Sequence, residues 1–375
     1  MAQLAIKPPM GWNHWNTFGW SVTETDIYEC VDYLADNGFR EAGYEFVTID
    51  DCWMAGERGP DGELVADPKT FPHGMKALGD YIHSKGFKFG IYEDGGVRTC
   101  AGRPGSYGHE REDAAQFASW GVDFLKYDFC YVPAGADGRL LFRRMGQALR
   151  ETGRDIVFSA CWSGGECHKW ARTAGAHMWR LSGDIFDNWK SISATGYHAL
   201  DMSRYSGPMG WNDPDMLVAG LFGEGYVGRI GGGSTLEEYT THFALWCILS
   251  APLFLGHDLR KTTPEIKELL LNPEMIAINQ DDACIPGWDL PCLDEFCRIA
   301  AKPLANGDIA ILLVNGDDCP RWVGYSFESC GWSPADKIFA RDVIRREDLG
   351  VLDCGGSCYV PSHGCKLLRC TRVKS

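Results

Sequence analysis

The stretch EREDAAQFASWGVDFLKYDFCY, residues 110–131, carries the fold in miniature. A helical segment ends at Gly121, and the run VDFLKYD follows at once. Val, Phe, Leu and Tyr suit a strand, because β-branched and aromatic side chains pack well on a pleated surface. The end of that run does not suit a core: Lys126 and Asp128 gain nothing from burial.

The same helix–Gly–strand phrase recurs along the chain. In TETDIYECVDYLADNG the apolar residues Ile27, Cys30, Val31 and Leu34 fall at i, i+3, i+4 and i+7, one face of a helix. Thr23 or Thr25 can cap its start and Gly38 can end it, before YEFVTIDD reads as a strand. FPHGMKALGDYIHSKG precedes FKFGIYED, and LLFRRMGQALRETG precedes DIVFSAC. Looser copies lead to HMWRLSGD and to GPMGWNDPD, and LEEYTTHFALWCILS leads to APLFLG. With PPMGWNHW as the first strand the count is eight. Strands alternating with helices through short connections make βαβ units and a parallel sheet, and eight such units close into a (β/α)₈ barrel. A doubly wound open sheet is the runner-up, but no G-x-G-x-x-G opens a helix as its dinucleotide-binding form requires.

The grammar changes near residue 283, so the expected division is a barrel over 1–282 and a β-sandwich over 283–375. IAAKPLANGDIAILLVNGDD reads as a hairpin about an Asn-Gly turn, and short β-prone runs follow. DVIRREDLG is the one stretch there with a helical look. Cys354, Cys358, Cys365 and Cys370 lack the paired spacing of zinc knuckles and read as small buried thiols.

The formal charge of −15 argues against nucleic acid and anionic membrane surfaces as partners. No run of apolar residues is long enough for a spanning helix. MAQLAIKPPMGWNHW has no basic segment followed by an apolar core. The expected location is therefore cytoplasmic with mostly reduced thiols among the 16 cysteines, although a trimmed secreted precursor would read the same way. Homo-oligomerisation stays open.

In a (β/α)₈ barrel the C-terminal strand ends build the site. Here they carry Trp12, His14 and Trp15, then Asp50-Asp51, Glu93-Asp94, Lys126 with Asp128, Arg180 with Asp184, and Asp213 with Asp215. A single acid at a strand end can cap a helix or brace a turn. Seven or more on one rim repel each other, a cost tolerated for polar ligands or acid/base work. Histidines are too scattered for a metal-dependent hydrolase, and no cofactor motif is present. Lys126, two residues from Asp128, should stay charged, which disfavours Schiff-base chemistry. Paired carboxylates among Trp and Tyr fit glycoside hydrolysis.

The chain resembles the α-galactosidase/α-N-acetylgalactosaminidase family of retaining glycosidases. The resemblance rests on PPMGWNHWN, TIDDCW, GIYEDGG with TCAGRPGSYGHE, WGVDFLKYDFCY, WRLSGDI, GWNDPDMLV, MIAINQD and AKPLANGDIAILLVN, in that order. It implies a (β/α)₈ barrel with a C-terminal antiparallel β-sandwich. It also implies a cofactor-free, metal-free exo-glycosidase acting on terminal α-D-galactosyl residues through a covalent intermediate. Carried over by position, Asp128 is the nucleophile and Asp184 the general acid/base. Lys126 is expected to keep Asp128 ionised, and Asp184 to hold a proton through a raised pKa. Asp50 and Asp51 would accept from sugar hydroxyls, Lys126 and Arg180 would donate, and Trp15, Tyr92 and Asp215 would line the pocket. Cys100 and Cys130 match a pair that is disulfide-linked in the family.

The pattern breaks after strand five. The family's C-E-W, or a serine in its galactosaminidases, is replaced by CWSGGEC at 161–167. Aligned without gaps, Trp162 takes the place of the acid that reads the sugar's 2-position. With one gap Cys161 takes it, unless Glu166 swings in. Glu93 stands where the family has a small residue. α-N-Acetylgalactosaminides and β-L-arabinopyranosides are the alternative substrates. Readings from other classes are a non-catalytic sugar-binding barrel and a metal-dependent sugar isomerase or epimerase.

Overall fold

The computed structural model describes residues 3–373. Eight parallel strands form the first sheet: β1 (Met10–Asn13), β2 (Phe46–Ile49), β3 (Lys88–Asp94), β4 (Phe124–Asp128), β5 (Val157–Ala160), β6 (Met178–Arg180), β7 (Trp211–Asp213) and β8 (Leu253–Leu255). The order runs β7-β6-β5-β4-β3-β2-β1-β8, so β1 pairs with both β2 and β8. A parallel bridge between Leu217 and Leu255 brings the segment after β7 against β8 and closes the ring.

Helices separate the strands as the sequence phrase requires. Helix Glu24–Asp36 starts at Thr23, whose side chain and that of Asp26 satisfy each other's backbone N–H in a capping box. It buries Ile27, Cys30, Val31 and Leu34, the apolar face read from the sequence. Helix Glu110–Trp120 stops at Gly121, which adopts the left-handed conformation (φ 82°) and turns the chain into β4.

Side chains alternate along a strand, so every second residue points into the barrel. Phe46, Phe124, Met178 and Phe254, from β2, β4, β6 and β8, lie in one buried interior cluster. Phe46 and Phe124 have ring centroids 5.4 Å apart, and Phe124 and Phe254 5.2 Å. These are four side chains from alternate strands, the layering expected of such a barrel. Two strands between them contribute no side chain here: Gly11 pairs with Phe46 and Gly90 with Phe124. A Cβ on Gly11 would stand 2.3 Å from the Phe46 carbonyl oxygen. One two-residue step further along each strand the interior turns polar.

The second sheet is antiparallel, in the order β14-β13-β16-β11-β10-β9. Its strands are β9 (Trp288–Leu290), β10 (Cys297–Pro303), β11 (Ile309–Asn315), β13 (Lys337–Asp342), β14 (Glu347–Asp353) and β16 (Cys365–Arg372). β12 (Arg321–Ser326) pairs with β15 (Gly355–Val360) as a small facing sheet. Between the two sheets lie Ile299, Ile311, Leu313, Val323, Val360 and Leu368. The alternate residues Ala310, Leu312, Val314 and Leu367 join the barrel's core. The same period of two that aims the barrel's interior thus fastens this domain to it. The β10–β11 hairpin turns through Gly307 (φ 89°), as the Asn-Gly signal indicates. DVIRREDLG is not helical. Asp342 accepts from the backbone N–H of Ile344 and Arg345, both at 3.1 Å, and Arg346 takes φ 58°. That side-chain-to-backbone turn joins β13 to β14.

Replacing Gly11 with Ala forces a methyl onto the Phe46 backbone and should destabilise the fold by about 1–3 kcal/mol, the usual cost of overpacking. The check is a lower urea midpoint with an unchanged denaturant slope; an unchanged midpoint would contradict the packing described here.

Candidate active site

The polar side chains above the phenylalanine layer follow from the two-residue step. β2 aims Phe46, Thr48 and Asp50 inward, β4 aims Phe124, Lys126 and Asp128, and β6 aims Met178 and Arg180. β1 adds Asn13 and β3 adds Tyr92 and Asp94, while the segments leaving β5 and β7 add Cys161 and Asp215. The sequence reading brought the polar members together except Thr48 and Asn13; Asn13 falls in register with Gly11 on the inward face of β1.

Lys126 lies at the centre. Its Nζ is 2.7 Å from Asp50 Oδ2, and Asn13 Nδ2 donates to the same oxygen at 2.6 Å. The two partners are nearly closed off, at 15% and 2% side-chain exposure. Burial works to raise the Asp50 carboxyl, but Lys126 outweighs it, helped by the Asn13 hydrogen bond, so Asp50 sits below its usual value. Burial likewise works to lower Lys126, and Asp50, with Cys161, Asp128 and Asp215 adding to it, outweighs this, so the ammonium is held charged. Lys126 also stands 5.4 Å over the centre of the Tyr92 ring.

Asp128 lies beyond Lys126. Its Oδ2 accepts from the Tyr92 hydroxyl at 3.2 Å, and its Oδ1 from the Phe129 N–H at 2.8 Å. Burial pushes its pKa up to about 6, even against Lys126. Arg180, only 4% exposed, reaches three side chains and the Ser182 carbonyl. It is 2.9 Å from Asp215, 3.0 Å from Asp184, and 3.6 Å from the Cys161 sulfur through Nη1. Its Nε–H is buried without a partner. Asp184 leans out at the mouth, 68% exposed. Partial desolvation by the pocket walls works to raise it, and Arg180 outweighs this, so it sits below its usual value.

The ordering of the two acids therefore differs from the sequence expectation, which had Asp128 low and Asp184 high. The reason is depth. Asp128 loses more hydration than Lys126 restores, because that lysine is already committed to Asp50, whereas Asp184 stands at the exposed mouth with Arg180 in direct contact and Lys126 adding to it.

Asp51 is buried, accepting from the Ala101 N–H at 2.9 Å and the Cys52 N–H at 2.7 Å, and burial raises it. Asp215 accepts from the Ile185 and Met216 N–H groups, each at 2.8 Å. Trp15 packs edge-on to Tyr226 with centroids 5.5 Å apart. His14 is wholly buried, with both ring nitrogens unpartnered, and burial lowers it to about 4. Cys100 and Cys130 are joined by a disulfide, and the Cys100 sulfur lies 3.7 Å from Asp128 Oδ2.

Three residues singled out for the pocket are not in it. Trp162 is one step out of phase with Cys161, so its ring turns outward and stacks on Phe129 at 3.9 Å, against Phe142 and Trp170. Cys161 is the residue that faces the pocket at this position, beside Arg180. Glu93 is out of phase with Tyr92 and is buried on the helix side of β3, where its carboxylate accepts from Asp94 N–H. Burial, with Asp113 adding to it, raises its pKa well above the usual range. Glu166 pairs with Lys169 on an exposed loop.

The family model described as "Alpha galactosidase A" matches residues 7–281, and that of the "Alpha galactosidase C-terminal beta sandwich domain" matches 294–370. An α-galactosidase of Cyamopsis tetragonoloba is 39% identical over 366 residues, 97% of this chain and 86% of that protein. Alpha-galactosidase A of Cellvibrio japonicus is 42% identical over 329 residues, 84% of this chain and 78% of that one. The crystal structure of α-galactosidase I from Mortierella vinacea superposes with a TM-score of 0.92 at 34% identity, covering 98% of each chain.

Replacing Lys126 with Met leaves the Asp50 carboxylate buried without its cation, which should cost about 3–5 kcal/mol of stability. The Asp50 pKa is depressed in the fold, so the contribution of the pair is present above roughly pH 4 and fades as pH falls. Urea midpoints of parent and variant should stay apart from pH 7 to about pH 4 and converge only below it. A constant gap would show that Asp50 is not the partner that matters.

Proposed function

The chain belongs to the α-galactosidase family and is a retaining glycoside hydrolase of α-galactosyl linkages; from that premise we propose that Asp128 is its nucleophile and Asp184 its general acid and base. The observation that carries the assignment is the pair of environments. Asp128 is half-buried inside the barrel mouth, with its carboxylate aimed by Tyr92 and the Phe129 N–H. Asp184 hangs at the open mouth, where a leaving group must depart.

In this reading an Asp128 oxygen attacks the anomeric carbon as Asp184 protonates the departing glycosidic oxygen, leaving a galactosyl ester on Asp128. Asp184 then takes a proton from water as that water attacks the same carbon from the opposite face, freeing the Asp128 carboxylate. Asp50, Asp51 and the charged Lys126 meet the hydroxyls furthest from the scissile bond. A site whose buried acceptors match those hydroxyls rejects a sugar that leaves them unpaired. The unpartnered Arg180 Nε–H supplies a further donor. Beside Cys161 and Arg180 the cavity floor holds about 30 Å³, lined also by Ser159 and Asp213. That is room for a water beneath the sugar, between the charged groups and the phenylalanine layer. Among the described residues no helix is long and apolar enough to cross a membrane. The unpaired cysteines support a reducing, cytoplasmic setting.

Removing each carboxyl in turn separates the two roles. Asp128→Gly should lose turnover, and azide should restore it by giving a β-galactosyl azide. Asp184→Ala with azide should give the α-galactosyl azide. Normal hydrolysis by Asp128→Gly, or the opposite anomers, would sink the assignment. The pH profile is a second check. One proton must reside on the pair, and Asp128 releases its own at about 6. kcat/KM should therefore fall as pH rises above about 6, because the doubly ionised pair has no acid to offer the leaving group.

A further inference from the structure

Beside the two proposed catalytic acids is a group of four residues that the mechanism does not use as a group. Asp94, at the end of β3, points inward two residues after Tyr92. Its carboxylate accepts from the Gly96 N–H at 2.7 Å and from the Cys130 N–H at 2.9 Å. Cys130 follows Asp128 by two residues, and Cys100 comes from the loop after β3. One ligand atom from each of Asp94, Cys100, Asp128 and Cys130 lies within 4.8 Å of all the others. Asp94 is buried, Asp128 and Cys130 are half-buried, and Cys100 is exposed, so the cluster opens to solvent on one side.

We propose that reduction of the Cys100–Cys130 disulfide converts this cluster into a two-sulfur, two-oxygen site for a divalent d¹⁰ cation such as Zn²⁺, and that loading it blocks the enzyme. The donor set is one that zinc takes in tetrahedral geometry, with Zn–S near 2.3 Å and Zn–O near 2.0–2.2 Å. Two sulfurs on one zinc stand roughly 3.8 Å apart, a separation that the 5.2 Å Cα–Cα distance of the pair permits after side-chain rotation. Backbone N–H groups already orient both carboxylates, as outer partners do for metal ligands. Burial, with Asp128 facing it, keeps Asp94 protonated near neutrality; a dication between the two carboxylates replaces that repulsion with attraction. In the oxidised chain neither sulfur can act as a thiolate ligand, so the site exists only in the reduced protein.

The chemistry balances. A dithiol reductant gives two electrons and two protons to the S–S bond, which breaks to two thiols, while the dithiol closes to its own cyclic disulfide. Zinc then displaces to solvent the two thiol protons and the proton that Asp94 holds near neutrality, and bonds to two thiolates and two carboxylate oxygens. Asp128 is held by the metal and cannot attack a sugar. The site does not rest on Asp128 being the nucleophile; only the inhibition does.

The test compares each protein with itself, with and without zinc. The full chain is reduced with dithiothreitol, desalted without oxygen and mixed with Zn²⁺; an air-oxidised sample is treated in parallel. Zinc at about ten times its dissociation constant should cut kcat/KM of the reduced enzyme about tenfold by mass action. EDTA should restore the rate, and the oxidised enzyme should be unaffected. After gel filtration the reduced parent should retain one more zinc per chain than reduced Cys100→Ser/Cys130→Ser. Should that double variant not fold, Asp94→Asn, which keeps both thiols, is expected to lose the extra zinc. Equal zinc sensitivity of oxidised and reduced enzyme, or equal zinc counts in parent and variants, would overturn the proposal. Retained zinc with undiminished rate would overturn the block and count against Asp128 as nucleophile, which the azide products assess independently.

Discussion

The ion pair between Lys126 and Asp50 is the interaction on which the rest of the site depends. It crosses the barrel from β4 to β2 above the phenylalanine layer, with both charges nearly out of water. Attraction between charges at this depth is large, and so is the penalty for leaving either one alone. Asn13 ties the pair to β1 and the Tyr92 ring brings in β3, so four consecutive strands meet at one cation. The proposed catalytic rim is thus built on strands held by backbone ladders below and by a buried charge network within.

That network is short of cations. Asp50, Asp94, Asp128, Asp213 and Asp215 are gathered around Lys126 and Arg180. Lys126 is committed chiefly to Asp50, and Arg180 is divided between Asp184 and Asp215. Acids left over must hold protons: burial raises Asp94 to about 8 and both Asp128 and Asp213 to about 6. The surplus of acid over base at one rim is a property of the set rather than of any one residue. It leaves Asp128 near neutrality beside the exposed, ionised Asp184, so the pair shares one proton, which the proposed roles require on Asp184.

Most of the architecture was legible because it depends on local rules. Helix faces such as Ile27–Cys30–Val31–Leu34, the capping Thr23, the left-handed Gly121 and the Asn-Gly hairpin are each set by a few neighbouring residues. DVIRREDLG misled because its charged and apolar spacing suits a helix, while the Asp342 side chain offers the backbone a turn instead. The site residues were legible in kind because they sit at strand ends. Trp162 and Glu93 were misplaced for one common reason. A one-residue change of phase carries a side chain from the barrel axis to the helix layer, and neither Glu93 within β3 nor Trp162 just past β5 shows its phase in the local sequence.

The sequence by itself determined that eight strand–helix units would close into a barrel, that a β-sandwich would follow, and that acids would crowd one rim, since periodicity and strand-end position are written residue by residue. Only the tertiary structure decided that Cys161 and not Trp162 faces the pocket, that Asp128 is the acid near neutrality and Asp184 the ionised one, and that two cysteines stand against two carboxylates. Each of these depends on how deep a side chain lies and on which charge, from a distant part of the chain, lies beside it. Burial and Coulomb energy are functions of distance in space, and separation along the sequence does not set them.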